Sequence, residues 1–101
     1  MPTTLTEKQK KHLRGLAHAR EPVVMIGQAG LTPAVKNEFE TAIGAHELIK
    51  VSARVGDRDQ RDEILQTLAN ETGSALVQRI GNVGVFYRRH KDKPRIILPA
   101  D

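Results

Sequence analysis

The apolar positions of this chain switch between helical spacing and strand alternation, and the switches fall at recognisable caps and turns. Thr6 followed by Gln9 is a capping-box pattern, and the helix it opens runs to about Ala19 with Leu13, Leu16 and Ala17 as its apolar stripe. Pro22 stops that helix; Val23 to Ile26, short, β-branched and bounded by Pro and Gly, predicts a buried strand. Thr32 as N-cap and Pro33 at the first helical position open a second helix carrying Val35, Phe39, Ala42 and Ile43 inward, with Gly44 expected to end it. Glu47 to Val55 then alternates, placing Ile49, Val51, Ala53 and Val55 on one face and Leu48, Lys50, Ser52 and Arg54 on the other. Asp57 caps a third helix with Ile64, Leu65, Leu68 and Ala69 inward, and Gly73 closes it. Ala75 to Ile80, a Gly81-Asn82 turn and Val83 to Arg88 complete a β-hairpin.

The order helix, strand, helix, strand, helix, strand, strand predicts an α/β fold. Strands separated by helices form parallel crossovers and the hairpin adds an antiparallel pair, giving one mixed sheet of about four strands with packed helices. The chain of 101 residues has the length of one domain. Its core is expected over about residues 6–89, with 90–101 as a basic tail whose Ile96-Ile97-Leu98-Pro99 either docks as an extra edge strand or frays.

Charge changes the picture more than composition does. The net charge is +4, yet residues 8–20 hold five basic side chains and no acidic one, and residues 88–95 hold five against Asp92 alone. Those stretches carry +5 and +4, so the remainder sums to −5. Segregated basic segments on an otherwise acidic domain are the footprint of a nucleic-acid binder, whereas the bland alternative is two solvated termini. On the first helix Lys11, Arg14 and His18 project beside the apolar stripe, with Lys8 further round. Cysteine is absent, which excludes disulfides and thiol chemistry. No apolar run approaches bilayer length, and charge begins at Glu7 and Lys8 where a signal peptide would be apolar; a cytoplasmic protein with no membrane partner is expected.

Catalytic and metal chemistry find no support. His12, His18, His46 and His90 never fall at the spacing that sets two imidazoles on one helix face, and Asp57, Asp59, Asp62 and Glu63 lack the spacing and glycine of a calcium loop. No nucleophile elbow, Walker run or dinucleotide fingerprint occurs. The expectation is a protein without catalytic residues, metal, cofactor or small-molecule substrate, and a monomer. Gly27-Gln28-Ala29-Gly30 is the candidate that remains. Two glycines permit positive φ and close backbone approach, and the helix opening at Thr32 turns its N-terminus toward the same place, which favours phosphate. KH modules grip nucleic-acid backbones with such a loop, although most matches of this length are ordinary strand-to-helix turns.

Four segments in order carry a resemblance: Leu13-Arg14-Gly15-Leu16-Ala17-His18, then Pro22 through Thr32, then His46-Glu47-Leu48-Ile49-Lys50-Val51, then Val85-Phe86-Tyr87-Arg88. Together they resemble the CRM domain, a family of RNA-binding modules, and within it the stand-alone bacterial YhbY-like ribosome-assembly members. That resemblance implies an α/β domain similar to the C-terminal domain of bacterial translation initiation factor three. It implies RNA as the partner, namely large-subunit rRNA in precursor particles, gripped by Gly27, Gln28, Ala29 and Gly30 and by basic residues of the first helix. The RNA-binding set expected here is that loop with Lys8, Lys11, Arg14, His18, Lys50, Arg54 and Arg88. Many family members have a basic residue where this chain has Gln28, so charge must come from neighbours, with the basic helix expected to pack nearby. The alternative is a protein–protein adaptor that uses the basic helix on the ribosome or its assembly factors.

Overall fold

A computed structural model describes residues 4–100; the outermost positions of the expected domain, 1–3 and 101, lie outside the described residues. Three helices, α1 (Glu7–Ala17), α2 (Pro33–His46) and α3 (Arg58–Thr72), alternate with β1 (Pro22–Ile26) and β2 (Leu48–Ala53) and precede the hairpin β3 (Ala75–Ile80) and β4 (Val83–Tyr87). The four strands form one mixed sheet in the order β1-β2-β4-β3. β1 and β2 are parallel, while β4 runs antiparallel to both β2 and β3 and so inserts between two strands that α3 connects.

The sheet is covered on both faces by separate cores. On one face Val24, Ile26, Ile49, Val51, Ala53 and Phe86 pack against Phe39 and Ile43 of α2 and Leu65, Leu68 and Ala69 of α3. Phe39 and Phe86 meet edge to face at 5.1 Å, worth about 1 kcal/mol beyond the area they bury. On the other face Leu48, Val77, Val85 and Tyr87 pack against Leu13 and Ala17 of α1. Leu48 therefore does not belong to a solvated outer row; the strand alternation is as expected, but α1 covers that end of it. Leu16, expected in the stripe of α1, is exposed, because the second core needs only the narrower Leu13/Ala17 edge.

Local signals set the ends of the elements. Thr6 with Gln9 and Asp57 with Gln60 form complete capping boxes, and Gly73 closes α3 in the left-handed region. Two ends and one burial pattern differ most from expectation. α1 stops at Ala17. β1 is half-buried, with Val23 and Met25 exposed, as an edge strand allows. α2 passes through Gly44 to His46, since the roughly 1 kcal/mol that glycine costs a helix is outweighed by what lies beyond it. There Glu47 adopts φ +63°, donates its N–H to Ile43 and buries its carboxylate.

That carboxylate orders the tail. Glu47 Oε2 accepts from the His90 N–H at 2.7 Å, and Oε1 accepts from those of Arg95 and Ile96 at 2.6 and 2.7 Å. Residues 90–100 are neither an edge strand nor frayed; they form a strap without regular structure, in which Ile96 and Leu98 join Leu5 against the second core and Gln9 Nε2 donates to the Pro99 carbonyl at 3.2 Å.

Candidate nucleic-acid interface

The glycine turn sits where β1 leaves the sheet and α2 begins. Arg54 N–H donates to Ile26 O at 2.8 Å, extending the β1–β2 ladder to the base of the turn. Gly30 N–H closes it on Gly27 O at 3.0 Å, and Thr32 N–H returns to Gly30 O at 3.0 Å. Only Gly30, at φ +75°, occupies the left-handed region; the expectation that both glycines serve positive φ is corrected, because Gly27 has an ordinary backbone. A β-carbon at either position would meet nothing within 4 Å. Gly30 thus has a reason within the chain to be glycine, and Gly27 has none. Its bare Cα faces open space, which suits approach from outside the molecule.

The turn is rich in unclaimed donors. The N–H groups of Gln28, Ala29 and Leu31 have no acceptor among the described residues. At the helix start, Thr32 Oγ1 takes the Val35 N–H at 3.2 Å and Pro33 has none, so Ala34 offers the single free N–H of the first turn. The positive end of the α2 dipole adds to these donors. Gln28 itself leans back, its Nε2 3.5 Å from the Arg54 carbonyl, at the limit of a hydrogen bond.

The basic residues fall into distinct settings. Lys8 and Lys11 are exposed on α1, Arg14 is half-buried there and His18 is exposed at its C-cap; none forms an ion pair among the described residues, whereas Lys10 reaches Glu7 at 3.5 Å. Lys50 and Arg54 are likewise unpaired and lie on or at the end of β2, Arg54 against the turn. Arg88 is committed elsewhere: its guanidinium forks onto Glu40 at 2.8 and 3.0 Å and also donates to Thr72 O at 2.9 Å, tying β4 to α2 and α3. It is a structural clamp.

One expectation about arrangement is corrected. α1 is anchored over Leu48 and Tyr87, the end of the sheet opposite the Ile26/Ala53 end where the turn lies. The five residue steps of β2 between those ends span about 16 Å. The basic helix is therefore not a neighbour of the turn; Lys50 and Arg54 stand along the strand that joins the two. Arg89, just before the strap, and Lys91 and Lys93 on it were counted in the basic 88–95 stretch but left out of the expected binding set; all three are exposed and form no ion pair among the described residues. Sequence reading took Glu47 only as the start of a strand and missed the role of its carboxylate, because no local pattern signals a group whose partners are 43 to 49 residues away. Burial alone would raise the pKa of Glu47, but the three amides and the nearby His90 outweigh it and hold the carboxyl below its ordinary value of 4.5.

Among the described residues, no cluster of His, Cys, Asp and Glu suits a metal, and no helix is long and apolar enough to cross a membrane. His90 spends its Nδ1 accepting from the N–H groups of Asp92 and Lys93.

Comparison with known proteins gives consistent results. The CRS1 / YhbY (CRM) domain matches residues 5–88. A Haemophilus influenzae protein named as an RNA-binding protein is 46% identical over 97 residues, covering 96% of this chain and 97% of that one. The Bacillus subtilis protein named "Probable RNA-binding protein YqeI" is 36% identical, covering 94% and 99%. Among solved structures, a Staphylococcus aureus protein described as hypothetical and as a candidate RNA binder superposes with a TM-score of 0.82 at 38% identity, covering 95% of this chain and all of that one.

Proposed function

The chain belongs to the CRS1/YhbY (CRM) domain family, and from that premise we propose that it is a noncatalytic cytoplasmic RNA-binding protein, active as a monomer, that engages large-subunit ribosomal RNA in precursor particles during ribosome assembly. The observation that carries this reading is the turn at Gly27–Gly30. With the residues that follow it, the turn presents the unclaimed N–H groups of Gln28, Ala29 and Leu31 next to that of Ala34 at the helix N-terminus, with a glycine at 27 that borders open space and that the fold itself does not require. Those donors suit phosphate oxygens. Lys50 and Arg54 along β2, and Lys8, Lys11 and Arg14 on α1, supply the charge that Gln28 does not. The three aromatic residues, Phe39, Phe86 and Tyr87, are all buried, so recognition runs through backbone and shape rather than stacking.

The test is an electrophoretic shift with purified large-subunit rRNA fragments across a salt series. If about five phosphates are neutralised, log affinity falls against log salt with a slope near −3.5 on single strands. Affinity indifferent to salt, or no shift at near-physiological salt, overturns the reading. In the latter case the adaptor alternative gains, which the exposed Val23, Met25 and Ile80 on the sheet favour. Sedimentation of cell extracts then locates the protein on, or off, large-subunit precursors.

A further inference from the structure

A cleft of about 520 Å³ opens between the glycine turn, the β2–α3 connection and one face of α3. This is within the size range of small-ligand pockets. Its lining divides into two kinds. Leu31, Val55 and Ile64 are half-buried aliphatic side chains, and Gln60, Glu63 and Thr67 stand with Ile64 on one face of α3 at helical spacing. No lysine or arginine lines it. Glu63 has no ion-pair partner among the described residues.

These features exclude a phosphate and select a base. A carboxylate in a pocket without a cation repels the RNA backbone, so the backbone stays on the turn and the adjoining nucleobase is the part that enters. Flat apolar walls accept a base; a carboxylate accepts hydrogen bonds only. Among the four RNA bases, guanine alone sets two adjacent donors, N1–H and the N2 amino group, on its Watson–Crick edge, with the O6 acceptor beside them. Gln60 matches that third atom. Its Oε1 is fixed by the Asp57 N–H at 2.8 Å, which leaves Nε2 as a donor without a partner among the described residues, on a side chain that lines the cleft.

We propose that this cleft is a guanine pocket: an unpaired guanosine of the RNA held by the glycine turn inserts its base between Leu31, Val55 and Ile64, with Glu63 taking N1–H and the N2 amino group and Gln60 donating to O6. The proposal rests on the RNA-binding reading above and adds a sequence preference to it. The phosphate clamp and the base pocket share Gln28 and Gly30 as a wall, so one nucleotide is read at both ends.

The test uses the full chain and RNA hairpins with an all-adenosine loop in which one central residue is kept as A or changed to G, inosine, C or U. Fluorescence anisotropy is expected to give the G loop about tenfold tighter binding than the A, C and U loops, with inosine, which lacks the N2 amino group, between them. Glu63→Gln is expected to remove the preference, so that the G loop binds no more tightly than the A, C and U loops, while the loss of the repelling carboxylate tightens all loops by a common factor of less than about threefold. Equal binding of all five loops by the unaltered protein, or a G preference that survives Glu63→Gln, overturns the pocket and leaves RNA binding intact. Failure to bind any hairpin overturns the RNA reading and the pocket with it. GMP is expected not to displace the G hairpin at micromolar concentration; displacement would assign the cleft to a free nucleotide and overturn the proposal.

Discussion

Two places in this molecule hold a backbone in the left-handed region beside a set of backbone N–H groups, and they treat those groups in opposite ways. At the end of α2, Glu47 at φ +63° drops its own carboxylate onto the amides of His90, Arg95 and Ile96. At the start of α2, Gly30 at φ +75° closes a turn in which the Gln28, Ala29 and Leu31 amides have no acceptor among the described residues. In the first case the chain supplies an oxygen anion for the backbone donors and the result is a fixed strap; in the second the chain supplies none, and on the reading proposed above the same chemistry is completed by a phosphate from outside. The difference separates structure from function without any catalytic residue to guide the eye.

The comparison breaks most visibly at Glu47. Glu47→Ala leaves three amides without their acceptor, and a stability loss of about 3 kcal/mol is expected in urea denaturation. Glu47→Gly should lose about 1 kcal/mol less, since glycine relieves the positive φ that Ala retains. Acid should expose the same group. The folded carboxyl titrates below its ordinary value of 4.5, so its contribution is complete above that value and is lost as pH falls through the lower folded value. The gap in stability between the unaltered protein and Glu47→Ala should therefore stay constant at neutral pH and shrink below pH 4.5. A constant gap down to strongly acid pH would show that packing, not the charge, holds the strap.

The glycine turn should divide stability from binding. Gly30→Ala is expected to cost about 1 kcal/mol of stability because of its φ, and Gly27→Ala close to nothing. Both should weaken RNA binding, by roughly tenfold, if an RNA backbone approaches here as closely as a glycine allows. An affinity unchanged in Gly27→Ala, with the fold intact, would reduce the turn to an ordinary strand-to-helix connection.

How much of this was legible beforehand follows from sequence separation. The capping boxes at Thr6/Gln9 and Asp57/Gln60 and the Gly73 closure depend on residues three or so apart, and each was readable. The turn was readable too, as glycines before a Thr-Pro helix start. Gly44 misled because a local breaker was overruled by the buried end beyond it. The insertion of β4 between β2 and β3, the Arg88 fork onto Glu40 and the strap on Glu47 join residues far apart in sequence, and periodicity carries no such information. Arg88 was thus expected among binding residues when its charge is already spent.

The separation of α1 from the turn predicts additive effects of smaller size. Lys11→Ala with Arg14→Ala removes two cations, so the salt slope on single-stranded RNA should become shallower by about 1.4 if each contacts a phosphate. Because about 16 Å of β2 lies between the sites, this double substitution should add to Gly27→Ala rather than mask it. Strong non-additivity would mean that RNA binding rearranges α1 toward the turn.

The smallest effect tests whether Gln28 limits the clamp. It touches the Arg54 carbonyl only at 3.5 Å and is otherwise exposed, so Gln28→Lys should leave stability within about 0.5 kcal/mol. The new ammonium stands beside four unclaimed N–H groups and can reach the same phosphate. One added contact steepens the salt slope by about 0.7 and improves affinity a few-fold at low salt, fading as salt rises. If Gln28→Lys instead weakens binding, the glutamine side chain is itself a ligand-facing group. The turn would then differ from the Glu47 site in carrying a side-chain contact of its own, beyond the open amides.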